Sequence, residues 1–227
     1  MAPITPKRLG LQLVLLFFAA ANFISAQDPS IDHPQPGATS QDLAAKDLVT
    51  KMPYRSITVK QRIRWFVKGT VGPESLAAGV LSAAIGTSNN SPREYGPSWD
   101  GFGKRYGIRL TGISTGNAIE ASLGAIWGED PRYERQPEAS FGTRVRNVLK
   151  LTFAAPRRDG HLTLAYARLI AIPANNILSN TWRTGSEAQP DDVALRTLWG
   201  ILGRMGSNAF VEFWPDARRH IFHKTVD

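Results

Sequence analysis

The stretch GFGKRYGIRLTGISTGNAIEASLGAIW, from Gly101 to Trp127, decides the fold of this 227-residue chain. Gly103 and Gly107 are four residues apart in it, as are Gly112 and Gly116, and Gly124 follows about two turns later. Small residues at such spacing lie on one helix face and let neighbouring helices approach closely. Each interior glycine loses about 1 kcal/mol of helix propensity relative to alanine, which tertiary packing must offset. The stretch therefore predicts one or two glycine-rich helices packed against partners.

Apolar residues with helical periodicity flank this stretch on both sides. The predicted helices cover residues 57–70, 74–86, 145–153, 162–172 with a continuation over 174–182, and a last long helix from 191. Gly72 ends the first of them and Pro73 suits the first position of the next. Pro173 is expected to interrupt a helix and Pro215 to end one. With no convincing series of hairpins, the pattern predicts an all-α bundle of five or six helices, rich in glycine and alanine.

The first 26 residues are typical of an export signal. Lys7 and Arg8 precede the apolar run 11–21, and Ala26 offers a small-residue cleavage site. The run is too short for a comfortable membrane span, which needs about 20 residues. We therefore expect a signal peptide over 1–26, a flexible proline-rich lead-in over 27–53, a single helical domain over 54–227 and no transmembrane helix in the mature chain.

The composition narrows the chemistry that is open to the chain. It has no cysteine, which excludes disulfides, thiol nucleophiles and thiolate metal sites. Its net charge is +8, and removal of Lys7 and Arg8 with the signal leaves 8 − 2 = +6. A merely soluble, basic surface is the favoured interpretation of this charge. A polyanionic partner outside the cytoplasm would be anionic lipid or an envelope polymer and not nucleic acid. Oligomeric state is left open, and no cofactor is predicted.

A possible nucleophile motif lies inside the glycine-rich stretch. Gly112-Ile113-Ser114-Thr115-Gly116 matches G-x-S-x-G, which in hydrolases places serine on a tight strand-to-helix turn. Asp159 or Asp192 and His220 or His223 would follow it in the order that a triad needs. Buried strands upstream and an oxyanion segment are missing, so packing of a glycine-rich helix is the favoured interpretation of the motif.

Two further polar groups are candidate sites. Glu129 and Asp130 form an adjacent carboxylate pair, which can divide acid and base roles in sugar hydrolysis, but neighbouring loop residues usually point apart. His220 and His223 provide only two ligands and no H-E-x-x-H motif, so no metal site is predicted.

The predicted helix over 57–70 is amphipathic. Lys60, Arg64 and Lys68 lie on one side and apolar residues on the other. Interfacial helices often combine such a basic flank with a tryptophan, here Trp65. The three basic residues are therefore candidates for contact with an anionic surface, but packing of the apolar stripe on the protein's own core, with the basic side chains in water, is the favoured interpretation.

Three segments carry a resemblance. They are Gly101-Phe102-Gly103-Lys104-Arg105-Tyr106-Gly107, Glu129-Asp130-Pro131-Arg132-Tyr133 and Glu212-Phe213-Trp214-Pro215-Asp216. The chain resembles an uncharacterised family of exported bacterial proteins with G-[YF]-G-K-R-[YF]-G, D-P-R-Y and E-F-W-P-D in this order. The resemblance covers about Pro73 to Asp216 and implies no known activity, cofactor or catalytic residue.

The polar residues of these motifs are Arg105, Asp130, Arg132, Glu212 and Asp216. We expect them to form buried or half-buried ion pairs that fix the loops between helices, since a partnered arginine and carboxylate are geometrically specific. Together the features predict an exported cell-envelope protein with a structural or binding role and no catalysis, peripheral attachment to anionic membrane being an open option. The alternative is a small secreted serine hydrolase that uses Ser114.

Overall fold

The structure is a computed structural model that describes residues 54–222. The signal peptide predicted over 1–26, the lead-in over 27–53 and His223 lie outside the described residues. The described chain forms the α-helices α1 (Val59–Val71), α2 (Pro73–Ser88), α3 (Trp99–Trp127), α4 (Phe141–Phe153), α5 (Tyr166–Ser179) and α6 (Pro190–Phe222). The strands β1 (Ala154–Pro156) and β2 (Leu162–Leu164) form one antiparallel hairpin. The all-α prediction is confirmed.

Local sequence signals set most helix ends. Thr58 caps α1 in a reciprocal capping box with Gln61, and Gly72 separates α1 from Pro73, the first residue of α2. Ser98 caps α3 through a hydrogen bond from the Gly101 amide. Gly128 ends α3 at φ +75°, a left-handed conformation that glycine adopts without a steric penalty.

The glycine-rich stretch forms the single helix α3, which contacts α1, α2 and α5 and is the centre of the bundle. Its glycines divide into two groups. A Cβ at Gly116 would touch Asn175 of α5, and one at Gly124 would meet Arg62 of α1. In contrast, Gly103, Gly107 and Gly112 face open space within the described residues. Close helix contact therefore explains only part of the glycine row.

Three local expectations are wrong. Residues 162–164, expected to be helical, pair with β1, and the connection turns at Gly160, whose φ is +83°. Pro173 lies inside α5 and Pro215 inside α6, and neither ends its helix. Proline removes one intrahelical hydrogen bond, and the tertiary contacts of both helices outweigh that loss.

The core is small and unusual in composition. Its buried apolar members are Ala83, Ala155, Ala165, Ala167, Ala171, Val148 and Leu151. Charged residues from several helices are buried among them, including Glu120, Arg168 and Glu212. Conversely, α6 exposes Leu195, Leu198 and Leu202, a stripe with the spacing typical of a core-facing surface. Polar contacts thus determine which side of α6 faces the bundle.

No helix in residues 54–222 has both the length and the hydropathy that crossing a membrane would require.

Candidate functional site

The first polar centre joins four elements around Arg168 on α5. The Nε of Arg168 donates to Glu120 Oε1 of α3 at 3.0 Å, and its Nη1 donates to the Leu151 and Thr152 carbonyl oxygens at 2.7 and 3.0 Å. Arg204 of α6 donates to the same Glu120 oxygen at 2.6 Å. Since the two carbonyls belong to the last turn of α4, this one guanidinium binds a helix end that would otherwise be unsatisfied.

The second centre lies on the loop that follows α3. Asp130 is almost fully buried, and Arg132 donates to it from Nε and Nη2, the latter at 2.6 Å. The Tyr54 hydroxyl, from the segment before α1, donates to Asp130 Oδ2 at 2.7 Å. The expected pairing partners Asp130 and Arg132 are therefore adjacent in space, and Asp130 also binds the segment that enters α1.

The third centre attaches the same loop to α6. The Glu212 side chain is fully buried and accepts from the Tyr133 hydroxyl at 2.6 Å and from Arg144 Nε at 2.8 Å. Asp216, one turn later, accepts from Arg135 at 2.8 Å and from Arg144 at 2.6 Å. Glu212 and Asp216 therefore share Arg144, which also donates to the Glu212 carbonyl.

Arg105 differs from the other motif residues. It is buried, but among the described residues its hydrogen-bond partners are neutral: the carbonyl oxygens of Ser91, Pro92 and Gly96, and the Thr87 hydroxyl. It thereby binds the loop between α2 and α3 through backbone acceptors, and its ring contact is with Tyr95 at 5.5 Å. Among the described residues Arg105 therefore forms no ion pair, contrary to the expectation, and its guanidinium donates to carbonyl oxygens of that loop instead.

These contacts shift several pKa values. Desolvation raises the pKa of Asp130, but hydrogen bonds from Arg132 and Tyr54 outweigh it and hold the pKa below its usual value. Desolvation also raises the pKa of Glu212, but hydrogen bonds from Tyr133 and Arg144 outweigh it, so the pKa is lowered. The hydrogen bond from Arg135 lowers the pKa of Asp216.

The two tyrosines and the central arginine shift in the directions that their surroundings dictate. Burial, and then the hydrogen bond to a carboxylate, raise the pKa of Tyr54 and of Tyr133. Burial, followed by the charge of Arg204, lowers the pKa of Arg168 to about 10. All three groups are therefore protonated at neutral pH and act as hydrogen-bond donors.

The candidate catalytic residues Glu129 and Asp130 have different hydrogen-bond partners. Glu129 Oε2 accepts from the Ala167 amide in the first turn of α5 at 3.0 Å, whereas its Oε1 is buried without a partner among the described residues. The cavity beside both carboxylates measures about 10 Å³, room for roughly one water molecule. Ligand pockets for small molecules generally measure about 300–1,000 Å³.

Ser114 lies in the middle of α3 and is half-buried. The G-x-S-x-G motif is therefore helical and lacks the strand-to-helix turn that would present a nucleophile. Within residues 54–222 no hydrogen bond to its hydroxyl is formed, and no group of three His, Asp or Glu side chains is arranged to hold a metal ion.

The outer surface of α1 carries the basic candidates. Lys60, Arg64 and Lys68 are all exposed and follow one another at four-residue spacing. Directly beside them runs an apolar row, Val59, Ile63, Val67 and Val71, with exposed fractions of 77, 59, 46 and 49%. Trp65 faces the other way, with the Arg204 guanidinium 5.6 Å from its ring. Within residues 54–222 this apolar row is exposed and does not pack on the core, so that expectation is wrong.

Sequence reasoning did not identify several residues of the polar centres as functional or structural sites. Arg144 and Arg135 supply donors to the third centre, but each resembles an ordinary surface or loop residue in the sequence. Tyr133 belongs to the D-P-R-Y motif, but that resemblance implies no role for its hydroxyl. Glu120, Arg168 and Arg204 gave one usable signal: each is a single charge inside an otherwise apolar helical segment. Such a charge is costly to bury unless it is paired, so its presence there indicates a partner.

Comparison of the chain with models of protein families, with curated proteins and with solved structures finds no match.

Proposed function

We propose that this is an exported cell-envelope protein with a structural or binding role, without catalysis, that attaches to anionic membrane through the outer surface of α1. The observation that carries the proposal is the exposed apolar row on α1 beside an exposed basic row. A helix of this kind lies in the membrane interface with its apolar side chains among the acyl chains and its basic side chains among the headgroups.

The charge around α1 supports an anionic partner. Residues 54–71 contain no Asp or Glu, and five of them are Lys or Arg. Lys60, Arg64 and Lys68 have no ion-pair partner among the described residues, so their charges are free to interact with a surface. Each Lys or Arg near an anionic bilayer contributes about 1 kcal/mol to binding.

The polar centres support the non-catalytic part of the proposal. Asp130, Glu212 and Asp216 each accept hydrogen bonds from arginine, and they join loops to helices. Groups held in this way restrict loop movement, and breaking a buried pair costs about 3–5 kcal/mol. A rigid scaffold of this type suits a protein that presents a fixed binding surface.

The first prediction tests the basic row with matched charge changes. We expect Lys60→Gln/Arg64→Gln to weaken binding to phosphatidylglycerol/phosphatidylcholine vesicles by roughly twenty- to thirty-fold, since two surface charges are lost. The control, Arg146→Gln/Lys150→Gln, removes two exposed charges at the same spacing on α4 and should change binding by no more than a few-fold. Vesicle co-flotation of the full mature protein, with and without high salt, measures both.

The apolar row is tested in the same assay. Ile63→Ser should weaken vesicle binding, whereas Ile126→Ser, at a comparably exposed position of α3, should not. If the row is instead covered by another part of the chain or by a second copy, Ile63→Ser would lower the free energy of unfolding or dissociate a dimer and leave vesicle binding unchanged. Either result, or a wild-type protein that binds no anionic vesicles, would overturn the membrane proposal.

A further inference from the structure

A small cavity beside the first turn of α1 is lined by two arginines. It measures about 90 Å³, and its walls come from the segment before α1, α1 itself, the C-terminal end of α3 and the hairpin turn. Arg62 and Arg158 line it together with Ser56. Among the described residues that line the cavity there is no carboxylate.

Both guanidinium groups have N–H donors that form no hydrogen bond among the described residues. Arg62 Nη2 donates to the Glu129 carbonyl at 2.7 Å, and Arg158 Nη2 donates to the Ala125 carbonyl at 3.1 Å. A guanidinium has five N–H groups, and Arg62 Nη1 is buried without a partner within the part of the chain described. The glycines of α3 make this arrangement possible, because a Cβ at Gly124 would meet Arg62 and one at Gly128 would meet Arg158.

The two like charges are close enough to disfavour each other. Burial lowers the pKa of Arg62, Asp130 opposes that effect, and Arg158 lowers the pKa further. An anion between the guanidinium groups would relieve both the desolvation and the repulsion. Arginine binds phosphate through pairs of parallel N–H···O bonds, and a 90 Å³ cavity accommodates a phosphate group but is well below the size of a pocket for a whole small molecule.

The position of the cavity links it to the apolar row of α1. Val59, the most exposed member of that row, is one of the lining residues. An anion in the cavity would therefore lie beside the side chains that are proposed to enter the membrane. We propose that Arg62 and Arg158 bind the phosphate of an anionic lipid headgroup, an inference that rests on the proposed attachment of α1 to membrane.

The hairpin turn offers a matched pair of variants. Arg157 and Arg158 are adjacent and exposed, but only Arg158 lines the cavity. We expect Arg158→Gln to weaken binding of the full mature protein to phosphatidylglycerol-containing vesicles by about twenty-fold, because charge-assisted hydrogen bonds are lost as well as charge. Arg157→Gln removes the same charge and should weaken binding by no more than about five-fold. Circular dichroism melting checks that both variants remain folded.

Competition with inorganic phosphate distinguishes the lipid from a free anion. At constant ionic strength, replacing chloride by phosphate should weaken vesicle binding of the wild type and of Arg157→Gln, but not that of Arg158→Gln. If Arg158→Gln and Arg157→Gln weaken vesicle binding equally, the cavity inference fails while attachment through α1 stands. If phosphate binds in an Arg158-dependent way but Arg158→Gln binds vesicles like Arg157→Gln, the cavity takes free phosphate and the lipid assignment is wrong. If the wild type binds no vesicles, the proposed function itself fails.

Discussion

Gly101 and Gly103 are two residues apart on α3, yet their surroundings differ completely. A Cβ at Gly101 would collide with the carbonyl oxygens of Tyr95 and Gly96 and with the Arg105 guanidinium. A Cβ at Gly103 would meet nothing within 4 Å among the described residues. The loop whose carbonyl oxygens accept from Arg105 lies directly against the first turn of α3. Only glycine at position 101 leaves room for that loop.

The residue-scale prediction uses this pair. We expect Gly101→Ala to lower the free energy of unfolding by at least about 2–3 kcal/mol, because backbone atoms must move to relieve the collision. Gly103→Ala should raise it by about 0.5–1 kcal/mol, since alanine has the higher helix propensity and fits the open space. Urea denaturation followed by circular dichroism measures both changes. Equal effects of the two substitutions would contradict the packing described for the start of α3.

At the level of single residues, the sequence predicted ion pairs for both Asp130 and Glu212, but it indicated the partner only for Asp130. Asp130 and Arg132 are separated by one residue, so a short loop is enough to bring them together. Glu212 finds its donors on Tyr133 and Arg144, which lie 79 and 68 positions away in the chain. No local pattern fixes such a distance, because it depends on how α4 and α6 pack.

At the level of elements, the loop between α3 and α4 is bound from two sides. Asp130 connects it to Tyr54 before α1, and Glu212 connects it to α6. The pKa values of Asp130, Glu212 and Asp216 are all below their usual range, so all three are ionised in the folded protein well below neutral pH. The position of this loop therefore depends on carboxylates that remain charged.

This dependence predicts acid sensitivity. A carboxylate whose pKa is lower in the folded than in the unfolded state contributes stability that is complete above the unfolded value, about 4. We expect the free energy of unfolding to be level from pH 7 to about pH 5 and to fall as the pH drops through the lower folded-state values. Urea midpoints measured at several pH values test this. In Asp130→Asn the acid loss should be smaller than in the wild type, and an unchanged pH profile would count against the role assigned to Asp130.

Elements with strong local sequence signals were predicted well, and elements with weak signals were not. The joint between α1 and α2 follows from Gly72 and Pro73. The hairpin was missed because strands of only three residues leave little periodicity to detect. Pro173 was expected to interrupt a helix and Pro215 to end one, but a proline cost of about 3 kcal/mol is small beside the contacts that hold α5 and α6.

At the scale of the whole molecule, the Arg168 side chain connects elements that are distant in sequence. It joins α5 to Glu120 on α3, to the last carbonyl oxygens of α4 and to the Pro131 carbonyl of the loop. Large apolar side chains such as Leu195 on α6 remain at the surface of the described chain. The bundle is thus assembled around a polar centre that alanines and glycines surround.

The whole-molecule prediction follows from this arrangement. We expect Arg168→Ala to lower the free energy of unfolding by about 3–5 kcal/mol, because it leaves Glu120 and the end of α4 buried with fewer partners. The control, Lys104→Ala, breaks an exposed pair with Asp100 and should cost less than about 1 kcal/mol. Thermal and urea unfolding measure both. A small loss for Arg168→Ala would show that the bundle does not depend on its polar centre.

Short-range signals in the chain were sufficient for the all-α class, the run of helix from 101 to 127 and the basic row on α1. These features depend on periodicity, glycine and proline, whose effects extend over a few residues. Packing alone decided which side of each helix faces inward. On α6 it turned Arg204 and Glu212 to the interior and Leu195 to the surface, opposite to the expectation from hydropathy. The reason is that a buried charge is tolerated only where a partner meets it, and the partners come from helices distant in sequence.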